Sequence, residues 1–314
     1  LGENDEDNAR VMRDRFEVTR ETTVRHLADP STASVAAEQA LHMADRARVR
    51  VVELHDLQGL HAAAALYQSV WQTETRAAPV SPDLMRALSH AGGYVSGAYD
   101  GERLVAASLA FHTDGSEAGL HSHISAVMPD VQGRDVGVAL KLHQRAWALE
   151  RGLRTVSWTY DPLLRRNAWF NISKLGARAV GYLVDFYGAM DDAQNAGDES
   201  DRAVALWSLE APYVRRAADG DREDHDADTL VRGGAHLALR DIEGRPQLDP
   251  TPPGTRQVLV QIPHDIQSMR RTDPEVARQW RECSRAALEP LLAGSFVATG
   301  FTRSGCYLLE EISE

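Results

Sequence analysis

Two histidines, His121 and His123, lie two apart in the apolar stretch "GLHSHISAV" (119–127). On a strand that spacing puts them on one face, and an imidazole there can take or release a proton near neutral pH. A pair of solvent-facing histidines on a half-exposed strand is the plainer account. His112, on the neighbouring predicted strand, would make a trio, but no carboxylate or cysteine stands at metal-ligand spacing. The next stretch, "VMPDVQGRDVGVALKLHQRAWALERG" (127–152), breaks at Pro129, turns through Gln132-Gly133-Arg134 and enters a long helix with Gly137 in its first turn. A helix N-terminus carries unpaired N–H groups and partial positive charge, and glycine lets backbone approach a phosphate. The commoner use of such a turn is an ordinary tight strand-to-helix connection. Of 34 Lys plus Arg, only Lys141 and Lys174 are lysines. That bias fits a GC-rich genome, so a lysine kept against it is a candidate for a specific role. Lys174 can pair with a phosphate or cap a helix end.

The elements that must position these residues follow from periodicity and turn residues. "RVRVVEL" (48–54) alternates and predicts a strand. "LQGLHAAAALYQSVWQ" (57–72) has helical spacing, and "SPDLMRALSHAGG" opens on a Ser cap with Pro at the first helical position. "YVSGAYD" and "RLVAASLAFHT" predict a hairpin through Asp100-Gly101. The long helix buries Val136, Ala139, Leu142, Ala146 and Leu149 at helical spacing. "RTVSWTYDP" (154–162) predicts a strand ended by Asp-Pro, "LRRNAWFNISKLG" (164–176) a helix ended by Gly, and "RAVGYLVDFYG" and "AVALWSL" two strands. Trp158, Trp169 and Trp207 read as core. Residues 1–47 read as an appended helical arm in two pieces, and 215–228 as a mobile charged linker. The remainder offers a strand "RQVLVQIP", a helix from "TDPEVARQW" and a hairpin "FVATGFTRSGCYLLEE". Antiparallel hairpins followed by strand–helix–strand imply a mixed α/β sheet with helices on both faces.

The chain has 314 residues, enough for one large domain or two modest ones. A formal net charge of -12 argues against coating nucleic acid or anionic membrane. No apolar run is long enough to span a bilayer. The acidic start lacks a signal-peptide pattern. The two cysteines, Cys283 and Cys306, form no disulfide framework, so a cytoplasmic location is expected.

The stretches "V-x-P-x-x-Q-G-R-D-V-G-V-A-L" and "NAWFNISKLGA", with the strand order over roughly residues 48–188, resemble the GNAT acyltransferase superfamily. "WTYDPLLRRN" and "SDRAVALW" look like a divergent branch with an extra C-terminal region. The resemblance implies a GNAT-like domain over 48–212, after an arm at 1–47 and before an α/β extension at 229–314. It implies an acetyl-CoA or other acyl-CoA co-substrate and a small-molecule amine acceptor such as an amino acid. No nucleic-acid or membrane partner is implied, and a homodimer is an option. The loop pattern Gln/Arg-x-x-Gly-x-Gly/Ala would put pyrophosphate on the backbone of Gln132, Gly133, Arg134, Val136, Gly137 and Val138. Asp135 replaces the first glycine, and its charge opposes a phosphate; the shifted register Arg134-x-x-Gly137-x-Ala139 satisfies the pattern but misplaces the strand. A backbone N–H among Ala126, Val127 and Met128 would polarise the thioester carbonyl. Asn167 and Asn171, four apart, would bond pantetheine amides, and Lys174 a CoA phosphate. The family's usual Tyr acid falls on Ile172, so proton transfer would pass to Tyr160, with Asp161 beside it, or to His123. Two other readings stand: a non-catalytic GNAT-like scaffold, and a nucleotide-phosphate site unrelated to CoA.

Overall fold

The computed structural model describes residues 30–71, 78–113, 119–188 and 198–312. These form two compact units. The first runs through the described residues up to Trp158 and adds Trp207–Asp219; the second contains Thr159–Leu206 and Gly220 onward. The units divide inside a strand, whereas the sequence divides by composition near residues 48, 212 and 229.

In the first unit, helix α1 (Pro30–Ala47) precedes β1 (Arg50–Glu53), α2 (Leu57–Trp71), α3 (Pro82–His90), β2 (Tyr94–Asp100), β3 (Arg103–Thr113) and β4 (Gly119–Val127). Helix α4 (Val136–Glu150) and β5 (Thr155–Tyr160) follow. Ser81 caps α3 by accepting from the Leu84 N–H at 3.2 Å, as its position ahead of a proline predicts. The β2–β3 hairpin turns at Gly101, whose φ of 59° suits glycine. β1, β2, β3 and β4 pair antiparallel in that order, and β4 pairs parallel with β5. Alternation along the strands separates two cores. Val95, Leu109 and Ala126 pack with Leu60, Tyr67 and Met85 of α2 and α3. Tyr94 points the other way, where its hydroxyl meets His143 Nδ1 of α4 at 2.8 Å.

Helix α1 is not an appended arm. It buries Ala36, Ala40, Met43, Ala44 and Ala47 and packs along α4. Sandwiched in this way, α4 is buried on nearly all sides, including Lys141, Gln144 and Arg145. The first of the two predicted N-terminal helices lies mainly outside the described residues.

The second unit begins at the end of β5. Helix α5 (Arg165–Ala168) widens into a π turn over Trp169–Lys174, followed by β6 (Arg178–Leu183) and β7 (Arg202–Ser208). The segment read as a mobile linker instead carries two short helices: α6 (Pro212–Ala218), in the first unit, and α7 (Ala227–Arg232), in the second. Asp226 caps α7 through the Thr229 N–H at 2.9 Å. Then come β8 (His236–Ile242), β9 (Arg245–Leu248), β10 (Gln257–Gln261), α8 (Ile266–Thr272), α9 (Pro274–Ala293), β11 (Phe296–Phe301) and β12 (Cys306–Glu311). The strand order is β7-β6-β11-β12-β10-β8-β9, antiparallel except β8 with β10. The β8–β9 hairpin and α8 are not expected from the sequence; Glu243 and Gly244 both take positive φ at that turn, the pattern of a tight primed hairpin.

Candidate active site

In the first unit, β4 and β5 part early. Their ladder holds three pairs, Gly119 with Thr155, Leu120 with Val156 and His121 with Ser157. On its other edge β4 stays paired with β3 as far as Val127. From Ser122 to Val127 the β5-facing edge therefore extends beyond the ladder. The register also slips: Leu109 faces Ile124 but Ala110 faces Ser122, so His123 is the extra residue of a bulge, a device that re-aims side chains.

The backbone along this edge is directional. Met128 donates its N–H to Val105 O at 2.9 Å. Alternation in an antiparallel ladder then turns the Ala126 N–H toward β3 and the Val127 N–H toward the open edge. Among Ala126, Val127 and Met128, Val127 is the one whose N–H faces the opening. Its carbonyl accepts from Gln132 Nε2 at 3.3 Å.

The turn comprises a short 3-10 segment, Pro129–Val131, then Gln132 to Asp135. Gly133 sits at φ 87°, with open space where a Cβ would stand. Asp135 is the N-cap of α4 in a left-handed conformation, φ 60°. The first in-register helical bond runs from Ala139 N–H to Asp135 O at 3.0 Å. Val136, Gly137 and Val138 thus present N–H groups without an intrahelical acceptor. The side chains of Val136 and Val138 are buried, so these residues offer backbone only. Arg134 donates to Asp100 Oδ2 at 2.8 Å and to Ala47 O at 3.1 Å, which braces the turn against β2 and α1.

His121 and His123 do share a face. Their ring centroids are 6.3 Å apart, and Phe111 lies 5.3 Å and 5.9 Å from them. Burial, then the neighbouring His123 and Lys141, push His121 down to about 4. Partial desolvation also lowers His123, which still reaches solvent. Both rings are therefore neutral at pH 7 and can accept protons. Among the described residues no group of three or more His, Cys, Asp or Glu is placed to hold a metal ion.

Behind β4 lies a group the sequence marks only by its rarity. Lys141 of α4 is 4% exposed. Its Nζ donates to Ser122 Oγ at 2.9 Å and to Gln144 Oε1 at 2.8 Å, and sits 3.9 Å from the centroid of Trp158. Trp207 is 5.8 Å away. No carboxylate pairs with it among the described residues, and burial pushes its pKa down to about 7.

The second unit holds the other predicted residues. Tyr160 is buried beside the Tyr307 hydroxyl; burial raises its pKa, and that neighbour partly offsets the rise. Asp161 accepts from Arg270 at 2.6 Å, Arg281 at 3.1 Å and the Leu163 N–H at 3.0 Å. Burial alone would raise its pKa, but the two guanidiniums hold it well below the usual carboxylate range. Asp198 joins the same network through both arginines. This ion cluster accounts for Asp161 structurally. Asn167 lies at the end of α5 and Asn171 in the π turn. The wider turn removes the simple four-residue alignment, and Asn171 is buried while Asn167 is part-exposed. Lys174 is half-buried at the end of that turn.

Residues 31–162 match the family model described as an acetyltransferase (GNAT) domain. This stretch thus belongs with the GNAT superfamily, as a divergent member with an additional C-terminal region. Comparison with curated proteins finds no match. Solved structures similar to this chain include Naa50 of Arabidopsis thaliana bound to a CoA bisubstrate analogue, 15% identical over 51% of this chain and 99% of that one, TM-score 0.42. The ribosomal-protein-S18-alanine N-acetyltransferase of Escherichia coli is 18% identical over 52% and 95%, TM-score 0.41. A GNAT acetyltransferase of Streptococcus pneumoniae is 11% identical over 50% and 97%, TM-score 0.39. Among the described residues no helix is long and apolar enough to cross a membrane.

Proposed function

We propose that this protein is an acyl-CoA-dependent N-acyltransferase acting on a small amine. The observation that carries the reading is the open edge of β4, which runs from the last ladder pair to the Gly133 turn and the N-terminus of α4. A pyrophosphate would take the N–H groups of Val136 to Val138, with the macrodipole of α4 adding attraction. An extended pantetheine arm would lie along β4, as a strand's edge accepts a chain. The Val127 N–H would polarise the thioester carbonyl. His123, neutral and solvent-reaching, would take the proton of the attacking amine, and Tyr160 would return one to the thiolate. Asn167, Asn171 and Lys174 are proposed as further CoA contacts. A second reading, a scaffold that holds an acyl-CoA without turnover, draws on Ile172 and Asp135.

Thermal unfolding tests the reading. Acetyl-CoA at a hundred times its dissociation constant should stabilise the protein by about 2.7 kcal/mol. Gly137→Val, which blocks approach to the backbone, should abolish the shift. No shift with any CoA ester removes the assignment. A shift with no turnover on any amine favours the scaffold.

A further inference from the structure

The buried donors behind β4 lack a partner. Gln144 is fully buried, its Oε1 is taken by Lys141, and its Nε2 has no acceptor. Lys141 spends two donors on Ser122 and Gln144 and faces no carboxylate. A carboxamide's oxygen and nitrogen share one carbon, so Gln144 Nε2 and Lys141 Nζ lie within the span of a single acceptor group. Two buried donors, one of them cationic, define a place for an anion, because an unpaired buried cation is costly.

The position gives that anion an identity. Ser122 is the first residue of β4 past the ladder with β5, the closed end of the open edge. The turn stands at the other end, five residues along, or roughly 15 Å at strand rise. That length suits an extended pantetheine arm anchored at the turn. Its acyl group would then arrive beside Ser122, with Lys141 and Trp158 behind it.

We infer that Lys141, Gln144 and Ser122 form an acyl-specificity site for an acyl-CoA whose acyl chain ends in a carboxylate. This rests on the acyl-CoA reading above. The ammonium would pair with the carboxylate and Gln144 Nε2 would donate to it, so each orphaned donor gains its acceptor. Lys141 touches the acyl end and takes no part in the transfer.

The test uses the full chain with free CoA, acetyl-CoA and succinyl-CoA, and reads affinity by calorimetry. Succinyl-CoA should bind roughly tenfold to a hundredfold tighter than acetyl-CoA, the scale of a hydrogen bond to a charged group. Lys141→Met should erase that ratio. Gln144→Glu, which supplies the carboxylate from within the chain, should erase or invert it, so the proposal does not depend on one variant folding. If CoA and acetyl-CoA bind but succinyl-CoA binds no tighter, the proposal falls, an ordered water satisfies the donors, and the acyl-CoA reading stands. A preference that survives both variants also overturns it. If no CoA compound binds, the acyl-CoA reading fails and takes this inference with it.

Discussion

Replacing Lys141 by methionine should make the protein more stable at acidic pH and less stable at alkaline pH. The ammonium is buried, and its pKa falls from the ordinary 10.5 to about 7. That difference corresponds to about 5 kcal/mol of strain on the charged form. Between pH 7 and 10.5 the unfolded chain binds a proton that the folded chain does not, so wild-type stability rises with pH through that window and is lowest below it. Methionine removes the charge and keeps an unbranched side chain of related length. It also leaves Ser122 Oγ and Gln144 Oε1 without the ammonium, at about 1 kcal/mol each. At pH 6 the variant should therefore be more stable by about 2–3 kcal/mol, and near pH 10 less stable by about 1 kcal/mol. Urea unfolding at unit pH steps measures this, since groups common to both proteins cancel in the difference. The difference should change by about 1.4 kcal/mol per pH unit above 7. Parallel stability curves would refute the argument, because they would mean Lys141 keeps an ordinary pKa.

Asp161→Asn should destabilise the second unit by about 3–5 kcal/mol, because Arg270 and Arg281 would keep their charge and lose its counterpart. In wild type the stability from Asp161 is present above the ordinary carboxylate range and is lost as pH falls toward its depressed folded value, which acid titration by circular dichroism follows. If Tyr160 is the acid, Tyr160→Phe should lower turnover by roughly a hundredfold or more with little change in CoA affinity. His123→Ala should remove the acidic limb of the rate profile, which in wild type should level off below His123's ordinary pKa of 6.5, because only the neutral ring accepts a proton and that pKa is lowered. Full activity in both variants would leave proton transfer to solvent and catalysis to positioning.

The phosphate-loop geometry was legible because its signals are local. Pro129 stops β4, Gly133 accepts φ 87°, and the apolar period of α4 begins at Val136. The hairpin at Asp100-Gly101 and the Ser81 cap were legible for the same reason. Composition misled at 215–228: its charge reads as linker, yet Pro212 opens one helix and Asp226 caps another. The ion cluster on Asp161 was invisible, since its arginines lie more than a hundred residues away along the chain.

Reading α1 as an arm had the larger consequence. With α1 detached, α4 needs only one apolar stripe, and its polar side chains pass as a solvated face. With α1 packed on it, Arg145 is buried and donates to Gln39 Oε1 of α1 and to Leu209 O. Lys141 turns toward Ser122 and the two tryptophans. A helix covered on both sides has no solvated stripe for a cation, so each of its charges needs a partner. Arg145 has its partners within the chain. Lys141 has neutral ones only, in a chain that otherwise uses arginine almost everywhere. A guanidinium stays charged at any pH of interest, whereas an ammonium can shed its proton when buried. A lysine here can therefore be neutral while the site is empty and charged when an anion arrives, which arginine could not do.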